Sequence, residues 1–246
     1  MDPFSLAPLS QILDAAYWLI ESIAQFLEPL AGPWSAGLAI APLTLLVRTA
    51  LIPVGISQVK AEWSRRRIAP KLQALQRKYR KNPEVLQRKT MALYKAENIS
   101  PFAGFLPMLL QAPVISIVYT LFIRGTIGGH ANAMLASTIG GVPLGASLVT
   151  TGITWPGILV FAALIVVIGV VAWVSRRISQ RLAIQPVDAP AMARLNSAMS
   201  WLPFITLIVA AVVPLAAAIY LATTTTWTLV ERAILRRRYW GVVAGS

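Results

Sequence analysis

No cysteine occurs anywhere in the chain. That excludes a disulfide framework, a thiolate metal site and acylation of a lipoprotein cysteine. One histidine, His130, is too few for a histidine-rich metal cluster. Acidic residues are also scarce, nine against 22 lysines and arginines, for a net charge of +13. No G-x-x-x-x-G-K loop is present, so nucleotide hydrolysis is not expected. No cofactor is expected either, and the chain does not read as an enzyme. Residues 1–33 hold four acids and no basic residue, the reverse of a signal n-region, so no cleavable signal is expected. No soluble stretch is long enough to carry a DNA-binding domain.

What remains is apolar. Hydrophobic residues make up 57% of the chain and charged ones only 13%, which is a membrane composition. The residues that stand out are Leu43 to Pro53, an apolar helix interrupted by Arg48. Trp34–Val59 is long enough to span a bilayer, which needs about 20 residues. Arg48 lies fourteen residues after Trp34 and twelve before Lys60, near mid-membrane. An unpaired guanidinium there costs at least ~2.5–3.5 kcal/mol, so it faces protein or water and is a candidate functional residue. The bland alternative is a charge satisfied by backbone carbonyls and threonines. Thr44 sits one turn before it on the same face. No Asp or Glu falls within an apolar core, so no internal salt-bridge partner for Arg48 is expected.

Leu9–Leu30 repeats apolar residues at helical spacing (Leu9, Ile12, Leu13, Ala16, Tyr17, Ile20, Ile23, Ala24, Leu27), with Gln11, Asp14, Glu21, Gln25 and Glu28 mostly between them. The pattern predicts an amphipathic helix lying in the membrane interface over 1–33, ended by Gly32-Pro33. Residues 60–98 hold twelve Lys/Arg and three Glu. Ile68, Leu72, Leu75 and Tyr79 form one stripe, and Leu86, Thr90 and Leu93 a thinner one. Asn82-Pro83 stops the first helix and starts the second, which predicts a basic helical hairpin rather than a solvated linker.

Span two is expected at 101–123, bent by Pro107 and Pro113, with Gln111 as its main buried polar group. A buried Gln is usually interhelical glue. Residues 124–154 form a Gly-rich connection, with a short helix over 131–137; Gly141 and Gly145 fit a small-xxx-small spacing only weakly. Span three covers 155–174, followed by a loop at 175–194. Spans four and five cover 195–213 and 215–230, meeting at Pro214, and a basic tail occupies 231–246. The Thr223–Thr226 run is either harmless back-bonded polarity or a water-facing surface. The fold class is thus all-α with five transmembrane helices.

The 60–98 hairpin, the 175–199 loop and the tail hold twenty Lys/Arg; the N-terminal segment holds none and the 124–154 loop one. The positive-inside rule places the N-terminus outside, and the hairpin, second loop and C-terminus in the cytoplasm.

Several of these segments resemble one family. Arg48, Pro53, Gln58 and Lys60, the hairpin with Lys71-Leu72-Gln73-Ala74-Leu75-Gln76-Arg77-Lys78-Tyr79, and above all Ser100-Pro101-Phe102-Ala103-Gly104-Phe105-Leu106-Pro107 leading to Gln111-Ala112-Pro113 resemble the YidC-type membrane protein insertases, which have mitochondrial and chloroplast relatives. Met199–Pro203, Pro214 and Tyr220 resemble the family's last hairpin. The chain departs at Ser100, where Asn is usual, at Leu215-Ala216-Ala217, and at Leu221, where Trp is common. It looks like the compact five-span form. The resemblance implies an insertase of the bacterial plasma membrane that takes nascent hydrophobic segments into lipid through a hydrophilic groove, without nucleotide hydrolysis. It implies that Arg48 lies within this groove, and Thr44, Gln111, Thr223, Thr224 and Thr225 are the candidates to line it beside the arginine. Arg65, Arg66, Arg67, Lys71, Arg77 and Lys78 are the candidates for cytoplasmic recruitment. Expected partners are nascent membrane proteins, the ribosome, the general secretion channel and anionic lipids; the short tail argues against a strong ribosome tether. The competing classes are a small transporter or channel binding an anionic solute at Arg48, which predicts internal repeats or a second buried ionisable group, and a membrane scaffold.

Overall fold

The structure, a computed structural model, describes residues 7–100, 116–117, 120–127, 130–151, 155, 157–182 and 197–241. Gln111, with the proline-rich segment around it, and the second basic loop from 183 to 196 lie outside the described residues.

The amphipathic stripe near the N-terminus forms α1, Ala7–Ala31. Gly32, at φ +51°, ends it in a conformation that costs glycine little. A 3₁₀ turn, Gly32–Trp34, then leads into α2, Ser35–Ala50, and α1 folds back along α2. Leu13 and Ile20 are buried, and Ala16, Tyr17, Ile23, Ala24 and Leu27 half-bury against the same core. Gln11, Asp14, Glu21, Gln25 and Glu28 stay exposed. Part of the expected interfacial helix therefore closes on protein, while Ile12, Trp18, Phe26 and Leu30 remain exposed.

The expected kink at Pro53 takes the form of a break at Leu51, which separates α2 from α3, Ile52–Lys78. Pro53 cannot donate to the carbonyl one turn back and its ring crowds that carbonyl. The first helix ends, and Pro53 sits in the first turn of the next, where a missing N–H is tolerated. From there α3 continues without interruption through position 59 into the basic region. The turn at 79–82 leads to α4, Pro83–Ala96. The Asn82 side chain accepts from the Val85 N–H at 3.2 Å, an N-cap directly before Pro83. Ile68 is buried, and Leu72, Leu75, Tyr79, Leu86, Thr90 and Leu93 are half-buried.

Residues 120–123 are helical. Asn132, buried, donates through Nδ2 to the carbonyls of Leu121 (2.9 Å) and Arg124 (3.1 Å), closing that helix end. Two small hairpins follow: β1 (Thr126–Ile127) pairs antiparallel with β2 (His130–Ala131), and β3 (Thr138–Ile139) with β4 (Val142–Pro143). Gly140 and Gly141, at φ +57° and +79°, supply the two-residue turn of the second hairpin. Their role is this turn, which sets aside a helix-dimer reading of Gly141 and Gly145. The short helix expected over 131–137 is a 3₁₀ turn, Ala133–Ala136.

A four-residue helix α5 (Leu148–Thr151) precedes α6, Gly157–Leu182. After it come helical residues 197–199, a 3₁₀ turn Leu202–Phe204, the eight-residue α7 (Ile205–Val212) and, past Pro214, the long α8 (Leu215–Gly241). The stretch expected as a short tail is thus helical through Gly241. The first N–H groups of α8 have no partner within the helix. The loop supplies two: Leu215 donates to Ala146 at 2.8 Å and Ala216 to Leu144 at 2.9 Å.

The main core joins Leu13 and Ile20 of α1, Ala39, Ile40 and Leu43 of α2, Leu121, Phe122, the loop residues Ile127, Met134, Val142 and Leu144, Phe161 of α6, and Leu215–Ala217 of α8. It sits at the end of the molecule where the loop crosses the helices. Two helical runs among the described residues are long and apolar enough to cross a membrane, Gln11–Ala50 and Gly157–Leu182, while Ser197–Val212 is apolar but shorter.

Candidate functional site

Below that core, α2 meets α8 at Arg48. The guanidinium is half-buried, and its Nε donates to Thr224 Oγ1 at 2.6 Å, across 176 residues of chain. Thr224 is buried at 8% exposure. It is the one hydrogen-bond partner of Arg48 among the described residues, which leaves most of the five guanidinium N–H donors uncommitted.

The other groove candidates divide. Thr44 is buried and donates back to the Ile40 carbonyl at 2.6 Å. Thr223 and Thr225 likewise return their hydroxyls to their own helix, to Ile219 (2.9 Å) and Leu221 (2.7 Å). Thr226 bonds back to Ala222 at 2.7 Å. Back-bonding of this kind satisfies a hydroxyl in an apolar setting. Of the four consecutive threonines, Thr224 is the one on the arginine. Thr223 and Thr226 line a side cavity of about 370 Å³ with Trp227, Leu45 and Val167, while Thr225 faces a larger one of about 780 Å³ between α6, α7 and α8.

One residue escaped the sequence reasoning. Glu231, one position beyond the expected end of span five, lines a cavity of about 90 Å³ together with Arg48, Gln58 and Thr228. An acidic group therefore does share the arginine's surroundings from just outside the apolar cores, with no ion pair between the two among the described residues. A signal for it exists in the sequence: Thr224, Thr228 and Glu231 stand at i, i+4 and i+7, one helix face.

The recruitment candidates also divide. Arg66 donates to the Leu182 carbonyl at the end of α6 and lies 3.7 Å from Glu62. Glu62 in turn takes a two-pronged contact from Arg236 of α8, with Nη2 at 3.0 and 3.1 Å. These bonds fasten the base of α3 to α6 and α8. Arg67 (3.2 Å) and Lys71 both pair with Glu97 just past α4 and tie the two arms together. Arg67 also lies over the Trp63 ring at 5.2 Å. Arg65, Arg77 and Lys78 are exposed. So are Arg80, Lys81, Arg88 and Lys89 near the hairpin tip, which were not among the recruitment candidates.

The hydrogen bond from Lys71, with the nearby charges of Lys71 and Arg67, holds the Glu97 carboxyl below the usual glutamate value of 4.5 despite some desolvation. A carboxylate with a lowered folded value stabilises fully above its unfolded value and loses that contribution as pH falls through the folded one. The protection of the α4 amides, their exchange relative to the unfolded rate at the same pH, is therefore expected to fall on acidification below about pH 4.5. In Glu97→Gln the lower protection should already be present at pH 7. Identical exchange at pH 7 in the variant and wild type would remove the proposed tie.

The family follows from the sequence match, which covers nearly all of this architecture. Residues 26–241 match the family model described as 60Kd inner membrane protein. The chain belongs to the YidC-type membrane protein insertase family. Relatives described as membrane protein insertase YidC include one from Clostridium perfringens, 33% identical over 117 residues, 48% of this chain and 49% of that one. Another, from Clostridium tetani, is 38% identical over 97 residues, 39% of this chain and 44% of its own. A third, from Burkholderia thailandensis, is 34% identical over 107 residues, 44% of this chain and 18% of its own. The chain thus spans about half or less of the curated relatives it matches. Membership of the YidC-type family makes it a membrane protein of the inner-membrane class.

Proposed function

We propose that this chain is a membrane protein insertase: it receives nascent hydrophobic segments on the cytoplasmic side and releases them into lipid, without hydrolysing nucleotide. The observation that carries this reading is Arg48, seated on Thr224 beside a small polar cavity inside a family whose named relatives are insertases. Thr224 lies nine residues along α8 from Leu215, about 14 Å at 1.5 Å per residue. That is close to the middle of a hydrocarbon layer about 30 Å thick. An acidic tail crossing from the cytoplasm meets Arg48 as a temporary partner midway. The membrane potential adds roughly 2.3 kcal/mol per charge per 100 mV.

The orientation follows the charge and the aromatic residues. Trp155 stands exposed before α6, and Arg176 and Arg177 lie over Trp201 (3.9 Å) and Trp173 (4.9 Å) near its other end. Trp155 to Arg176 is twenty-one residues, about 30 Å, one bilayer core. Aromatic residues at both levels and basic residues at one suit an outside N-terminus and a cytoplasmic C-terminus. The five spans, a groove closed outside by the 124–154 loop and open inward, and the basic hairpin tip as a contact for ribosome, substrate or anionic lipid complete the proposal. A link to the general secretion channel belongs with it.

The test is reconstitution of the purified chain in liposomes with a fluorescent single-span substrate bearing an acidic tail. Protease protection above that of empty liposomes is the expected result. Protection equal to empty liposomes would overturn autonomous insertion. Glu231 is a second ionisable group of the kind an anion transporter would use, so chloride and phosphate uptake in the same vesicles is the matching control; the expected uptake is none.

A further inference from the structure

The cavity beside Arg48 holds an opposite charge that is not used on it. The Glu231 Oε1 atom is buried with no hydrogen-bond partner. It lies over the backbone of Gly55, where a Cβ would come within 2.0 Å of it. Glycine at 55 thus leaves room for this carboxylate between α3 and α8. One turn back, the Trp227 indole N–H faces this carboxylate, but neither Nε1 nor Oε1 completes a hydrogen bond. The shared cavity of about 90 Å³ has Gln58 and Thr228 on its wall with three charged residues, Arg48, Glu231 and Arg232. That is space for a few water molecules at about 30 Å³ each. A carboxylate left short of hydrogen bonds in such a place is poorly stabilised by its own surroundings. Its charge stands in the field of two guanidiniums, that of Arg48 across the cavity and that of Arg232 beside it in sequence.

We propose that Glu231 is a built-in competitor for Arg48: it occupies the position an incoming acidic tail would take electrostatically, and so sets how strongly the groove prefers carboxylates. The proposal rests on the reading of Arg48 as the groove's anion partner. Arg48 attracts a tail bearing Asp or Glu, and Glu231 partly cancels that attraction through a medium of low dielectric. Neutral tails feel neither. The arrangement would keep the arginine from holding an acidic segment too tightly to release it. It makes Glu231 a specificity-determining residue rather than one needed for insertion as such.

The experiment measures binding, not insertion. The full chain in lipid nanodiscs is titrated with a fluorescent single-span peptide carrying an acidic tail, and with its counterpart in which every Asp and Glu of the tail is Asn or Gln. Glu231→Gln keeps the shape and removes the charge. It is expected to tighten binding of the acidic peptide at least about ten-fold, the effect of a unit charge roughly 12 Å away at an effective dielectric near 20, and to leave the amide peptide unchanged. In the Arg48→Ala background the same substitution should produce no such gain. Glu231→Asp keeps the charge and should retain the wild-type ratio of the two peptides. The inference is overturned if Glu231→Gln leaves the acidic-to-amide ratio at its wild-type value, if the gain persists without Arg48, if Glu231→Asp gains equally, or if no variant distinguishes the two tails. A wild type that binds as expected yet inserts nothing into liposomes would overturn the proposed function and leave this inference standing.

Discussion

Replacing Arg48 with alanine is expected to reduce insertion of acid-tailed substrates by roughly ten- to a hundred-fold, while substrates with neutral tails lose little. The size follows from what is removed. A hydrogen bond to a charged group is worth about 1.5–3 kcal/mol, and 1.4 kcal/mol is a factor of ten. Thr224 remains after the substitution, but a hydroxyl supplies no net charge to a carboxylate in transit. Arg48→Lys keeps the charge and loses the planar fork, so it should fall between the two. Protease protection in proteoliposomes, with acidic and neutral tails compared side by side, reads the effect. Equal protection of the acidic tail in wild type and Arg48→Ala would move the mechanism away from ion pairing, to hydration of the groove or to bilayer thickness.

The contrast between acidic and neutral tails also separates a functional arginine from a structural one. Arg48 bonds Thr224 across the α2–α8 contact, so its loss removes a link between helices as well as a charge. A structural loss would weaken insertion of both kinds of substrate together. A loss confined to acidic tails would not arise that way.

Much of this site is legible in the sequence because membrane insertion penalises charge so heavily. An arginine within an apolar run demands a reason for being there, whereas Thr44, one turn before it, spends its hydroxyl on the Ile40 carbonyl. Asn82-Pro83 is legible for a local reason: the cap and the fixed proline φ act within three residues. The threonine run is not legible, because a hydroxyl bonded back to its own helix and one turned to a neighbour look the same in sequence. Only the packing of α2 on α8 sets Thr224 apart from Thr223 and Thr225. The division among the basic residues is hidden for a similar reason. Arg66, Arg67 and Lys71 belong to one dense run, and their partners Leu182 and Glu97 lie 116, 30 and 26 residues away. Glu231 escapes a hydropathy reading because it falls one residue past an apolar boundary, while α8 continues through that boundary without a break. Hydropathy marks where apolar residues stop, and a helix face does not stop with them.

Lengthening the fourth apolar segment by four leucines between Ile208 and Val209 is expected to lower insertion of substrates with long polar tails by about ten-fold. The α-helical part of this segment, Ile205–Val212, has eight residues, about 12 Å at 1.5 Å per residue. The whole stretch Ser197–Val212 reaches only about 24 Å, against about 30 Å for a hydrocarbon core. Ile205, Ile208, Val209 and Val212 are all exposed, so this short segment presents an apolar outer face, which the proposed topology sets against lipid. A short hydrophobic element draws the bilayer thinner beside it, at fractions of a kcal/mol per ångström. Four leucines add about 6 Å, enough to relieve the mismatch and restore roughly 1–3 kcal/mol to the barrier for a polar tail. They also rotate the following residues by about 40°, since four residues exceed one 3.6-residue turn. A parallel variant with four leucines replacing existing exposed apolar residues, at unchanged length, isolates that sequence effect. The dependence on tail length is the deciding reading. A thickness effect grows with the number of polar residues that must cross, whereas damage to the fold lowers all substrates alike. Full activity of the lengthened chain on the longest tail would mean that thinning at this segment contributes nothing to the path.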